Sequence, residues 1–208
     1  LGLSRSGWGW DIRAADFDND GGFEVIQATG FITGKINRWP ELQALATSNE
    51  RILHNPEFWP RFRPGDDISG RDGTPFYALG RGGRFVDVAE KLELEDPLHP
   101  MNTRGIAIDD VDGDGRLDMV MGNQWSPSVY FRNTSSSTHA FLGLHLVLPV
   151  DDDATAFLAR SGCPGADTLG SPAIGAQVRV RGANGRQAVA QVDGGNGHTG
   201  RRSPALHF

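Results

Sequence analysis

The chain has 208 residues, of which 38% are hydrophobic and 22% charged, an ordinary balance for a soluble globular protein with a real core. A formal charge of −6 leaves no basic footprint for nucleic acid, and no apolar run nears the roughly 18–20 residues of a membrane span. Gly (28) and Pro (12) are frequent among many short apolar runs, which predicts an all-β chain. The lone Cys163 forms no internal disulfide and does not fix the redox compartment. The chain begins at Leu1-Gly2-Leu3 without a start methionine and stops at Leu206-His207-Phe208 inside an apolar segment. We read it as an interior piece of a longer protein.

In chain order, Trp8 to Ala15 reads as a strand entering an acidic loop, and Phe23 to Thr29 as the strand leaving it. Ile12, Val25 and Ile26 are the expected core contributors. The loop carries carboxylates at relative positions 1, 3, 5 and 9: Asp16, Asp18, Asp20 and Glu24. The same spacing returns 94 residues later as Asp110, Asp112, Asp114 and Asp118. Both copies have Gly at position 6, an apolar residue at 8 and two more at 10 and 11. Carboxylates at alternate positions of a tight loop repel one another unless a cation lies between them. Hard oxygen ligands in that number suit Ca²⁺, which accepts 6–8 oxygens in loose geometry. Position 7 (Gly22, Arg116) would add its backbone carbonyl, and Glu24 or Asp118 would close the shell. An EF-hand needs Glu at position 12 and flanking helices, but position 12 is Gln27 or Met121 and the flanks read as strands. A solvated acidic turn without metal is the other reading, and two matching copies argue against it. Two bound Ca²⁺ would bring the charge from −6 to about −2.

Residues from about 33 to 74 break the pattern and read as an insertion between strands. Pro40 to Leu53 predicts a helix, with Pro at its start and Leu42, Leu45 and Ala46 on one face. Arg61 to Arg71 reads as charged loop. Trp39, Phe58, Trp59 and Phe62 are a candidate recognition surface, set against the plainer reading that they pack a long loop onto the domain. Pro75 to Leu79 and Arg84 to Val88 predict a hairpin. Gly105 to Ile108 enters the second acidic loop and Leu117 to Met121 leaves it. Ser128 to Arg132 and Phe141 to Leu148 are the next two strands. With the insertion removed, the repeat has roughly 50 residues, the length of a four-stranded propeller blade. Residues 151–170 read as a linker. Ala176 to Arg181 and Gln187 to Val192 predict a hairpin across Asn184-Gly185.

Asp-Phe-Asp-Asn-Asp-Gly at 16–21 and Asp-Val-Asp-Gly-Asp-Gly at 110–115 resemble the FG-GAP or VCBS repeats of integrin-α-like β-propellers. Gly83 to Ala89 is similar to the closing strand of such a blade. Ala173 to Val180, Gln191 to His198 and His207-Phe208 are similar to the ASPIC/UnbV domain. Propeller followed by ASPIC/UnbV is the arrangement of cartilage-acidic-protein-like chains. The resemblance implies an all-β fold: a partial β-propeller of two four-stranded blades over 1–150, then a small, truncated β module over 171–208. It departs from the family at Glu24, where Asp is usual, and in having two blades where closure needs 4–8. It implies an extracytoplasmic place, secreted, periplasmic or at the cell surface. Asn133-Thr134-Ser135 matches a glycosylation sequon, a triplet common by chance.

Local catalytic motifs are absent. His198 beside Arg201 and Arg202 is the one cluster suited to an anion, and a polar turn explains it as well. The expectation is a calcium-stabilised binding or assembly module with two Ca²⁺ sites, a protein or glycan partner and no catalysis of its own. Its open sheet edges would be covered by the parent chain or by partner chains. The alternatives are an accessory structural subunit of a large complex and part of a propeller enzyme acting on polysaccharide.

Overall fold

A computed structural model of the chain describes residues 1–3, 7–69, 72–94, 101–136, 139–150, 159–165, 168–182, 185–195 and 203–208. Strands in chain order are β1 (Gly9–Ala15), β2 (Glu24–Thr29), β3 (Ile36–Asn37), β4 (Asp66–Asp67), β5 (Phe76–Leu79) and β6 (Phe85–Asp87). They continue with β7 (Thr103–Asp109), β8 (Asp118–Asn123), β9 (Val129–Phe131), β10 (Gly143–Leu144), β11 (Val147–Pro149), β12 (Gly170–Pro172), β13 (Gln177–Arg181), β14 (Gln187–Gln191) and β15 (Leu206–His207). Two short α-helices, α1 (Trp39–Ala46) and α2 (Glu50–Leu53), lie between β3 and β4. The chain is mostly β, and the described sheets do not close into a barrel.

The first sheet has the order β1-β2-β5-β6, four antiparallel strands in sequence once the insertion is skipped. The second sheet, β7-β8-β9, repeats its first half. Every bound of β1 and β2 recurs in β7 and β8 at an offset of 94 residues. The pairing register also recurs, with an irregularity between Gly9 and Asp11 in one copy and between Thr103 and Gly105 in the other. The skipped residues are Trp10 and Arg104, and they meet face to face: the Arg104 guanidinium lies 3.9 Å from the Trp10 ring centre.

The core lies between the two sheets. Ile26, Ala28, Phe76 and Phe17 pack from the first, against Ile106, Leu117, Met119 and Met121 from the second. Ile26 is fully buried as expected, Val25 is half-buried, and Ile12 is 53% exposed, against expectation. The cause is strand parity. Side chains alternate along β1, and the face turned to β7 carries Asp11 and Arg13 instead of Ile12. Ile106, the counterpart of Ile12, is buried because the first sheet covers it.

The second sheet differs from the expected four-stranded blade. Phe141 to Leu148 does not extend it. It divides into β10, which pairs with the terminal β15, and β11, which pairs with β12. The predicted hairpins form as β5-β6 and β13-β14; Asn184 of the second turn lies outside the described residues. Of the expected linker, residues 151–158 and 166–167 also lie outside them, as do His198, Arg201 and Arg202.

The predicted single helix is two. The hydroxyls of Thr47 and Ser48 donate to the carbonyls of Gln43 and Ala44, which ends α1, and Asn49 then caps α2 by accepting the N–H of Ile52 at 3.2 Å. The insertion closes at its root, where β3 and β4 pair in parallel. Asp66 and Asp67, expected in a charged loop, form β4 and are buried there. Asp66 takes Arg38 at 3.1 Å, and Asp67 takes the N–H groups of Ser69 and Gly34.

Candidate metal centre

Each acidic loop joins two neighbouring antiparallel strands, so its ninth residue is paired by the strand ladder with the residue just before its first. Ala15 faces Glu24 across β1-β2, and Asp109 faces Asp118 across β7-β8. The chain between them turns through left-handed backbone at the same two positions in both copies. Position 4 is Asn19 (φ 56°) or Gly113 (φ 74°), and position 6 is Gly21 (φ 87°) or Gly115 (φ 86°). Position 6 therefore needs Gly, and Asn is among the few other residues that tolerate position 4.

Four hydrogen bonds recur in both loops. The N–H of position 6 donates to the first carboxylate, at 2.8 Å on Asp16 and 2.9 Å on Asp110. The N–H of position 5 donates to the third residue, Asp18 or Asp112, at 3.2 and 3.3 Å. The N–H of position 7 donates to the fifth, Asp20 or Asp114, at 2.6 and 3.0 Å. The N–H of position 2 donates to the ninth, from Phe17 to Glu24 at 2.9 Å and from Val111 to Asp118 at 3.2 Å. The extra methylene of Glu24 leaves that last bond intact.

In each loop three carboxylates converge. Asp16, Asp18 and Glu24 bring ligand oxygens within 4.8 Å of one another, and so do Asp110, Asp112 and Asp114. A Ca²⁺ holding oxygens at about 2.3–2.6 Å spaces them by no more than about 5 Å, so both groups are of the right size. Asp110 Oδ1 is buried and accepts no hydrogen bond, a costly state for a carboxylate oxygen that a cation would relieve. The residues present therefore fit a hard divalent cation.

The loops differ in how their charge is balanced. Burial pushes the Glu24 carboxyl up to about 7; the Phe17 N–H opposes this, and Asp18, Asp16 and Asp20 add to it. Burial also raises Asp16, against the N–H groups of Gly21 and Asp20. In the second loop Arg116 pairs with Asp114, and Arg132 reaches Asp112 at 2.6 Å and Asp114 at 3.6 Å. Asp118 and Asp20 lie outside the two inward groups. Both oxygens of Asp118 are engaged, Oδ1 by the N–H of Asn133 at 2.8 Å and Oδ2 by Val111 and by the Tyr130 hydroxyl at 2.9 Å.

Sequence reasoning missed Asn133 and Asn19. Asn133 Nδ2 donates to the carbonyls of Phe17 (2.7 Å) and Leu117 (3.1 Å), so it ties one loop to the other. A glycan on that nitrogen would replace one of its two N–H groups, so both bonds could not be kept. Asn19 also spans the loops, donating from Nδ2 to the Gly115 carbonyl at 2.9 Å. A polar residue at position 4, where the second copy has Gly113, was the available signal.

Of the candidate recognition residues, Phe58 is 61% and Trp59 49% exposed. Trp39 is half-buried, with its ring edge-on to Trp8 at 5.5 Å between centres.

The last strands complete the surroundings. β15 returns from the C-terminal module to β10, and His207 Nε2 lies 2.8 Å from Asn19 Oδ1. Residues 167–208 match the family model described as ASPIC and UnbV. The ASPIC/UnbV region thus includes β12 to β15 and places its final strand beside both acidic loops. No curated protein and no solved structure matches the chain. No helix among the described residues is long and apolar enough to cross a membrane.

Proposed function

We propose that the chain is a calcium-stabilised segment of an FG-GAP/VCBS-like β-propeller. In this reading it ends in an ASPIC/UnbV module and serves as an extracytoplasmic binding or assembly module for a protein or glycan partner. The observation that carries the reading is the twofold occurrence of one loop: the same four hydrogen bonds, the same left-handed positions and three converging carboxylates in each. Asp16, Asp18, Asp20 and Glu24, with the Gly22 carbonyl, would hold one Ca²⁺. Asp110, Asp112, Asp114 and Asp118, with the Arg116 carbonyl, would hold the other. The cation would offset half of the four negative charges in each loop and fix the two strands that the loop joins.

The packing of the two sheets supports the propeller. Residues 94 positions apart play opposite roles across one interface: Ile106 and Leu117 are buried against the first sheet, while their counterparts Ile12 and Phe23 are 53% and 62% exposed. A further sheet of the same kind would cover Ile12 and Phe23 as the first sheet covers Ile106 and Leu117. This open apolar face also favours the second reading, a structural subunit whose neighbour supplies that cover. Calorimetric titration of the chelator-treated chain with Ca²⁺ tests the proposal. Two sites per chain are expected, and loss of one site on Asp16→Ala and of the other on Asp110→Ala. A titration without binding heat, with melting unchanged by chelator, overturns it.

A further inference from the structure

The two acidic loops and the C-terminal strand meet at one side chain. Asn19 donates to the carbonyl of Gly115 in the second loop at 2.9 Å, while its Oδ1 lies 2.8 Å from His207 of β15. The His207 ring stacks on Phe141 at 5.7 Å and 6° between planes. Phe141 in turn lies against Gly115 so closely that a Cβ there would overlap its ring. Just past these residues the terminal strand is held by a reciprocal pair of bonds. Leu142 N–H donates to the Phe208 carbonyl at 2.7 Å, and Phe208 N–H to that of Leu142 at 3.0 Å.

We propose that Asn19 is a positioning residue that couples cation binding in the acidic loops to docking of the C-terminal strand, so that the ASPIC/UnbV module is latched in place by Ca²⁺. The inference rests on the cation reading of the loops. Asn19 lies between Asp18 and Asp20, and the Asp20 N–H is itself held by Asp16 and Asp18. Drawing Asp16, Asp18 and Glu24 onto one cation fixes this turn of the chain and with it the Asn19 amide. Without the cation the carboxylates repel, the turn loosens, and His207 and Gly115 lose their common partner. The second loop acts on the same junction from the other side, because the Gly115 N–H is held by Asp110 at 2.9 Å. Coupling of this kind is reciprocal: whatever factor the cation adds to docking, docking adds to cation affinity.

The test is hydrogen exchange of the 208-residue chain, read at the Leu142 and Phe208 amides with and without saturating Ca²⁺, beside a calorimetric Ca²⁺ titration. Asn19→Gly keeps the left-handed backbone without strain and removes both side-chain contacts. In the parent chain Ca²⁺ is expected to slow exchange at both amides by about tenfold, within the usual range of coupling. In Asn19→Gly that slowing disappears even at saturation, and first-loop affinity falls by a similar factor. His207→Ala lowers first-loop affinity in the same way without touching the loop itself. Amides of the β13-β14 hairpin, outside this junction, serve as the internal reference. Ca²⁺ binding that leaves Leu142 and Phe208 exchange unchanged overturns the coupling and leaves the cation sites standing. Full slowing in Asn19→Gly overturns the role of Asn19. A titration without binding overturns both this inference and the reading beneath it.

Discussion

Arg13 donates from Nε to the backbone carbonyl of Ile106 at 2.8 Å, across 93 residues of sequence. Asp11, which pairs with Arg13 at 3.1 Å, accepts the N–H of the same Ile106 at 3.1 Å. β7 is the edge of the second sheet, so these backbone groups face away from β8 and need partners. One ion pair supplies both and pins the two sheets together. Breaking a buried pair leaves a buried charge, and Asp11→Ala is expected to cost about 3–5 kcal/mol. Ile12→Ala, between the two but exposed, should stay within about 0.5 kcal/mol. Urea unfolding of both variants checks this, and equal losses would contradict the clamp.

Removal of Ca²⁺ should lower the melting temperature. A ligand at 100 times its dissociation constant stabilises the folded state by about 2.7 kcal/mol per site. Asp112→Ala should remove more of that gain than Asp109→Ala, because Asp109 precedes the loop and bonds the Asp110 N–H. Arg132→Gln should act in the opposite sense and raise the Ca²⁺ affinity of the second loop, since Arg132 now holds Asp112 at 2.6 Å. Calorimetric titration of the three variants reads each effect.

The raised Glu24 carboxyl predicts how the metal-free chain responds to pH. Burial favours its protonated form in the folded state, with a pKa of about 7 against 4.5 unfolded. Its contribution is therefore fully present below pH 4.5 and is lost as pH rises through 7, by up to about 3 kcal/mol. Denaturant unfolding in chelator from pH 4.5 to 8 should show this decline, and Glu24→Gln should flatten it. Ca²⁺ requires the ionised carboxylate, so first-loop affinity should fall as pH drops below about 7. An unchanged affinity between pH 8 and 5.5 would contradict Glu24 as a ligand.

The insertion separates anchoring from exposed aromatics. Trp39→Ala removes a ring contact with Trp8 and should destabilise the chain by about 1–3 kcal/mol. Phe58→Ala and Trp59→Ala, at half-exposed or more exposed positions, should leave stability nearly unchanged and weaken capture of the partner. Pull-down from the native source with each variant distinguishes the two roles. Normal capture by the Phe58→Ala, Trp59→Ala double variant would place the recognition surface elsewhere.

The face bearing Ile12 and Phe23 should make the isolated chain self-associate. Phe23→Glu places a charge on that face and should shift sedimentation toward the monomer. A concentration-independent monomer in the parent chain would mean that the face needs no cover.

The strand–loop–strand units were legible in the sequence because their causes are local. Alternate carboxylates, Gly at the sixth position and short apolar flanks act within about a dozen residues, and the bounds of β1, β2, β7 and β8 follow them closely. The tail hairpin and the ASPIC/UnbV resemblance were legible for the same reason. What only the tertiary structure decided are the long-range pairings. Ile12 and Ile106 stand at equivalent places in the repeat, yet one is exposed and the other buried, because burial depends on which face meets another sheet. Phe141 to Leu148 has the pattern of a strand, but pattern does not choose a partner, and Leu142 and Leu144 pair with the chain end instead of with β9. Asp118 and Glu24 share one loop position and differ in sequence by one methylene, and the arrival of Tyr130 and Asn133 beside Asp118 sets them further apart. Asn19 looks like an ordinary turn residue in sequence. Folding brings Gly115 and His207 to its two ends, and that meeting of three distant segments gives its amide a role.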